Sequence, residues 1–310
     1  MKLVKWVVII GVLVVLGLVG FVYLAPETAT RVAVDLRRAE AGLERKTITL
    51  PSGETYVYLE GGTGEPVLLL HGFGANKDNF TLVAKYLTPR YHVVAPDHIG
   101  FGESDRPAGA DYTPAAQAVR LRGFVRALGL SKIHIGGSSM GGHIAMTYAA
   151  LWPDEVKSMW LLDPGGVWSA PESEMRQIIR ETGRNPLIAK TPEEFVKIFD
   201  FVMTDPPFIP TPILHVMAKE RVENVGLEEK IFIQLTGDSV ERRIQGLAVP
   251  ALIVWGDQDR AIRVESAGIL HGLLPVSEVI IMKGLGHLPM LEAPKQAAHD
   301  YMAFLDRLKG

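Results

Sequence analysis

The sequence predicts one α/β domain built on a mostly parallel sheet, preceded by a membrane-spanning segment. Three observations carry this: short β-branched or aliphatic runs alternate with helical stretches from residue 47 onward, the interior runs are apolar almost throughout, and the chain opens on an uncharged stretch. Strands buried on both faces read as continuous apolar runs, and alternation with helices is the pattern of βαβ units.

The N-terminal stretch from Trp6 to Ala25 holds no charged residue. As a helix it spans roughly 30 Å, a bilayer's hydrocarbon thickness. It exceeds the h-region of a cleaved signal peptide, and the Ala25 to Ala29 neighbourhood is a poor cleavage site, so an uncleaved anchor is favoured. A buried core helix would have to be apolar on every face and lie ahead of the first strand. Trp6 and Tyr23 stand where interfacial aromatics belong, and Lys2 and Lys5 put positive charge on the short side. This favours an anchor in a bacterial inner membrane with the bulk of the chain on the periplasmic side, although Arg31, Arg37 and Arg38 blur the charge asymmetry. Gly11, Gly17 and Gly20 do not form a Gly-x-x-x-Gly face, so a homodimer through this helix has only weak support.

Beyond Pro26, Val32, Leu36, Ala39 and Leu43 recur at helical spacing, with Arg31, Asp35, Arg38 and Glu44 off that face. Residues 1–46 are therefore read as anchor plus amphipathic juxtamembrane helix. The apolar face either packs on the domain or lies on the membrane or another subunit.

Within 47–310, runs 47–50 and 54–59, joined by Pro51-Ser52-Gly53, read as an opening hairpin. Strands follow at 67–70, 92–95, 133–136, 156–162, 251–255 and 278–282. Helical patterns fall at 79–87, 113–128, 140–151, 264–273 and 294–308. Residues 164–246 break the rhythm, because the connection is far longer than the roughly 2 to 6 residues usual in α/β units. Phe195, Val196, Phe199, Val202 and Met203 lie on one helical face, and the prolines at 206, 207, 210 and 212 forbid its continuation. A helical cap over the strand ends is the expectation.

Composition narrows the function. A net charge of -3 gives no basic field for nucleic acid. With no cysteine there is no disulfide, thiolate metal site or cysteine nucleophile. No pair of histidines has metal-ligand spacing and the carboxylates form no cage pattern, so neither metal nor cofactor is expected.

Gly137-Ser138-Ser139-Met140-Gly141 is a Gly-x-Ser-x-Gly pattern, which alone is weak. Its context is informative: a strand ends before it and a helix starts within it, so Ser139 falls on a tight turn at a strand's carboxyl end. An acyl-transfer nucleophile needs a base, an orienting acid and oxyanion donors. His71-Gly72-Phe73-Gly74 follows the strand at 67–70, and the Phe73 and Met140 N–H groups would form the oxyanion hole. Of the 9 histidines only His287, in Gly284-Leu285-Gly286-His287, lies on a loop after the last strand, while His71 is read as structural. The acid stays open among Asp257, Asp259 and Asp163, all near strand ends.

Together with Pro96-Asp97-His98-Ile99-Gly100-Phe101-Gly102-Glu103-Ser104 and Trp255-Gly256-Asp257-Gln258-Asp259, these motifs resemble the α/β-hydrolase superfamily across about residues 47–308. The resemblance implies an eight-stranded sheet with a cap, makes Asp259 the catalytic acid beside Ser139 and His287, and gives Asp97 a loop-holding role. Ala261-Ile262-Arg263 stands where many relatives carry a proline. His71 to Phe80, Thr191-Pro192-Glu193-Glu194-Phe195 and the N-terminal span look like bacterial membrane-anchored lipases and phospholipases A, and like membrane-bound monoacylglycerol lipases. That kinship implies hydrolysis of lipid or small carboxylic esters. A C–C bond hydrolase or cofactor-free perhydrolase would use the same triad, and an anchored, non-catalytic binding module is the reading from another class.

Overall fold

The computed structural model describes residues 2–309. Eight strands form one sheet in the order β1-β2-β4-β3-β5-β6-β7-β8. They are β1 (Glu44–Thr49), β2 (Thr55–Gly61), β3 (Glu65–Leu70), β4 (Tyr91–Pro96), β5 (Ile133–Ser138), β6 (Val156–Leu162), β7 (Ala251–Gly256) and β8 (Ser277–Met282). β1 and β2 pair antiparallel, as do β2 and β4, and every pairing from β3 to β8 is parallel. The interior strands β3, β5, β6 and β7 are buried along most or all of their length, as their apolar runs require.

The edges behave differently. β1 begins at Glu44, earlier than position 47, because its first residues Glu44-Arg45-Lys46 are charged and carry no apolar signal. Arg45 pairs with Glu103 and Lys46 with Glu60 across that edge, the kind of charged rim that blocks further strand addition. At the other edge β8 leaves Val279 and Ile281 exposed rather than buried on both faces.

The helices are α1 (Lys2–Leu24), α2 (Pro26–Glu40), α3 (Thr81–Leu87), α4 (Pro114–Ala127), α5 (Met140–Leu151), α6 (Glu174–Thr182), α7 (Pro192–Val202), α8 (Thr211–Glu223), α9 (Val225–Thr236), α10 (Glu241–Ile244), α11 (Glu265–Leu273), α12 (Pro289–Glu292) and α13 (Pro294–Arg307). Two apolar clusters cover the sheet. One gathers Phe124, Met146 and Tyr148 from α4 and α5 with residues of α7 and α9 such as Phe195 and Ile231. The other gathers Val83 and Leu87 of α3 and Tyr301 and Phe304 of α13, with Trp160 stacked on Tyr301 at 4.3 Å. The expected helix at 79–87 is shorter: residues Lys77–Phe80 form a 3₁₀ turn, in which the Asn76 side chain accepts from Asp78 N.

Among the described residues one helix is long and apolar enough to cross a membrane, at Val4–Leu24, and none of it is buried. α2 follows with Pro26 at its first turn and packs on α8 and α3. Of the two outcomes open for its apolar face, packing on the domain does not occur at Val32 and Leu36, which are exposed, while Ala29, Val34 and Arg38 turn inward. The reason lies in the partners. Arg38 forks onto Asp78, with Nε to Oδ1 and Nη2 to Oδ2 both 2.7 Å, and this ion pair turns the helix.

Between β6 and β7 the chain runs through α6 to α10, with an irregular proline-rich stretch at 203–210 after α7 in which Phe208 is 92% exposed.

Candidate active site

The parallel strands bring their carboxyl ends to one edge, and the polar residues gather there. Neighbouring strand ends are in register: Leu70 beside Gly137, Ser138 beside Leu162, Leu162 beside Val254 and Gly256 beside Met282. Residues following β3, β5, β6, β7 and β8 therefore meet at the sheet's top, where ligands bind in open α/β sheets.

Ser139 sits between β5 and α5 at φ 53°, one of two non-glycine residues with positive φ among the described residues. That conformation is costly for a side chain other than glycine's and persists only where surroundings enforce it. Here Ser139 N donates to Leu162 O (3.0 Å), while Ser139 O accepts from His143 N (3.1 Å) and Gly165 N (2.8 Å). The flanking glycines are steric necessities, since a Cβ on Gly137 would strike the Gly141 backbone and one on Gly141 would strike Leu70 and His71 carbonyls. Ser139 stays partly accessible; Ser138 is fully buried and its hydroxyl has no partner.

His287 Nδ1 donates to Asp259 Oδ2 at 2.7 Å, both residues being buried. His287 is also fixed by its backbone N–H, which donates to Val202 O at 2.7 Å, tying the loop to α7. Asp259 accepts three further N–H groups: Ala261 N (2.8 Å) and Ile262 N (3.0 Å) on Oδ1 and Trp255 Nε1 (3.2 Å) on Oδ2. Two of these donors come from the stretch Ala261-Ile262-Arg263 that departs from the family pattern. Asp257 does not face His287: its Oδ1 accepts from Gly284 N at 2.7 Å and serves the turn. Gly256 and Gly286 touch backbone to backbone, for a Cβ on Gly256 would coincide with Gly286 O.

The loop after β3 lies over Ser139. A Cβ on Gly72 would sit 3.2 Å from Ser139 Cβ. Among the described residues neither Phe73 N–H nor Met140 N–H has a backbone acceptor. His71, fully buried, is locked as a neutral ring: Nδ1 donates to Gly72 O (2.8 Å) and Nε2 accepts from His98 N (3.0 Å). Burial holds its pKa below the ordinary histidine value and does the same more strongly at His98. Asp97 binds the loop's far end, accepting from Lys77 N (2.7 Å), Lys77 Nζ (2.8 Å) and Glu103 N (2.8 Å).

Asp163, after β6, joins this group. One ligand-type atom from each of Asp163, Asp259 and His287 lies within 4.8 Å of the others. The trio could in geometry face a cation, but His287 Nδ1 is already committed to Asp259. Asp163 is one of the three acids the sequence leaves open, and the bond to His287 goes to Asp259 instead. Sequence reading missed Trp255 Nε1, hidden in an apolar strand run, and Glu292, whose Oε1 accepts from Gly286 N at 3.0 Å.

Residues 65–190 match the family model described as alpha/beta hydrolase fold. The chain is 45% identical to Lipase 3 of Moraxella sp. (strain TA144), over 92% of this chain and 93% of that protein. It is 30% identical to monoacylglycerol lipase ABHD6 of Mus musculus, over 81% and 80% respectively. A solved membrane phospholipase A superposes with a TM-score of 0.89 at 38% identity, covering 100% of both chains. By its sheet, its strained serine turn and these relatives, the chain belongs to the α/β-hydrolase family.

Proposed function

We propose that the chain is a membrane-anchored serine carboxylic ester hydrolase of lipase or phospholipase A type, working through an acyl-enzyme. The observation that carries the reading is the buried 2.7 Å bond between His287 Nδ1 and Asp259, on the same sheet edge as a strained Ser139. With Nδ1–H given to Asp259, Nε2 is the free base, in the tautomer that accepts the Ser139 proton. The Ser139 hydroxyl attacks the ester carbonyl, and the oxyanion is received by Phe73 and Met140 N–H groups. The alcohol leaves with the proton held by His287, and water, deprotonated by the same ring, releases the acid.

Lipid substrates are supported by the lipase and phospholipase A relatives and by α1, whose exposed apolar surface needs a bilayer. Residues 1–46 serve as anchor and juxtamembrane helix, 47–310 as the catalytic domain and 164–246 as its cap. Lys2 and Lys5 on the short side favour the catalytic domain outside the cytoplasm.

Fluorophosphonate labelling of membrane fractions, followed by a lipid panel, tests nucleophile, location and substrate class together. Label and ester hydrolysis are both expected to vanish in Ser139→Ala while the fold is kept. Full esterase activity in that variant would sink the assignment; cleavage of short soluble esters with no action on lipids would remove the lipid reading.

A further inference from the structure

Asp163 is the other non-glycine residue at positive φ, 44°, and is completely buried. It is held there by its own N–H on Val254 O (3.0 Å) and by Gly256 N–H on its Oδ1 (3.0 Å). Its second oxygen, Oδ2, receives no donor. The ionisable groups facing it are Asp259, His287 and Glu292. Two carboxyl groups sharing a buried site do not both ionise, since like charges at this range in a poorly solvated place repel strongly. The proton goes to the acid with fewer donors. Asp259 has four N–H groups on its oxygens, Asp163 one.

We propose that Asp163 is kept protonated in the working enzyme and donates its carboxyl hydrogen to Asp259, which makes it a positioning residue for the catalytic acid. The inference rests on Asp259 being the acid of the triad. A neutral Asp163 satisfies both of its oxygens, Oδ1 accepting from Gly256 and Oδ2–H donating. It adds a donor to a carboxylate that must stay ionised and aimed at His287 Nδ1. Burial pushes the Asp163 carboxyl well above the ordinary carboxylate range, and the neighbouring Asp259 pushes it the same way.

Asparagine reproduces a protonated aspartic acid, with an oxygen acceptor and an N–H donor and tolerance of the left-handed conformation. Asp163→Ala is expected to lower kcat at least about tenfold with KM little changed, and Asp163→Asn to recover it to within about threefold. The acid limb of the Asp163→Asn pH–rate profile should stay in place. If Asp163 were charged, removing that charge would move the limb down by about one pH unit, and this result would overturn the proposal. So would an asparagine variant as impaired as the alanine one.

A readout independent of turnover is difference infrared spectroscopy on the full chain carrying Ser139→Ala. A buried protonated-carboxyl band is expected at neutral pH and should disappear when Asp163→Asn is added; no such band also overturns the proposal. Turnover by Ser139→Ala itself would instead break the triad reading and leave the band as an independent observation.

Discussion

Arg221 of α8 and Glu228 of α9 form a buried two-pronged ion pair whose guanidinium occupies the space a side chain at Gly74 would fill. Nε and Nη2 reach the two carboxylate oxygens at 2.5 and 2.9 Å, and Nη2 also donates to Leu187 O at 2.6 Å. The guanidinium carbon lies 5.9 Å from the Phe73 ring and 6.0 Å from the Phe195 ring, so one arginine joins the segment between β6 and β7 to the loop after β3.

Glu228→Ala should therefore cost stability and catalysis together. Leaving a buried guanidinium unpaired is expected to destabilise by roughly 3 kcal/mol or more. Loosening the loop that carries Phe73 N–H should lower kcat/KM by about tenfold or more. Denaturant unfolding and steady-state kinetics measure the two. The double variant Arg221→Met with Glu228→Leu, which removes both charges, should regain most of the stability.

The acid can be settled by an asparagine pair. Asp259→Asn is expected to reduce kcat by roughly 10⁴, because the amide no longer selects the Nδ1–H tautomer of His287. Asp257→Asn disturbs only the turn at Gly284 and should stay within about tenfold of wild type. Comparable losses in the two variants would remove Asp259 from its role.

Acid sensitivity has a source away from the chemistry. Burial lowers the pKa of His134 from 6.5 to about 4, with Glu65 opposing and Lys157 and Lys309 assisting. Its Nδ1 lies 2.8 Å from Ser158 Oγ. The folded state binds this proton less readily than the unfolded chain does. The stabilisation is thus complete above the unfolded value of 6.5 and is lost as pH falls toward 4, amounting to up to roughly 3 kcal/mol. Melting curves between pH 7 and 4 should show a smaller drop in Tm for His134→Gln than for wild type.

Arg38→Ala should free α2 from the catalytic domain. The Arg38 fork onto Asp78 is largely shielded from solvent, so its loss is expected to cost about 1 to 2 kcal/mol. Limited proteolysis around 41–43 should accelerate in this variant, and Asp78→Asn should act in the same direction.

The interior strands were legible because burial on both faces leaves an apolar run in the sequence, and the serine turn because its glycines are sterically compelled. The charged start of β1 was not, since an edge strand needs no apolar signal. Which side of α2 faces inward was not legible, because it depends on the Arg38 ion pair to Asp78, forty positions away, and Val32 and Leu36 stay exposed. Among Asp163, Asp257 and Asp259 the residues alone offered no choice; orientation toward His287 is a property of three-dimensional turns, visible only as the 2.7 Å bond. Between β6 and β7 the helical face that ends at Met203 was legible and is α7, which packs on α8 of the same segment; the other helices there were expected only as a helical cap.

The backbone contact between Gly256 and Gly286 has an evolutionary side. With no side chain between the two main chains, the spacing of Asp259 and His287 is set by direct backbone contact and not by side chains whose size could change. Substitution elsewhere can reshape what surrounds the pair, while a side chain at Gly256 or Gly286 would strike main-chain atoms, so the frame that holds Asp259 and His287 apart is backbone alone.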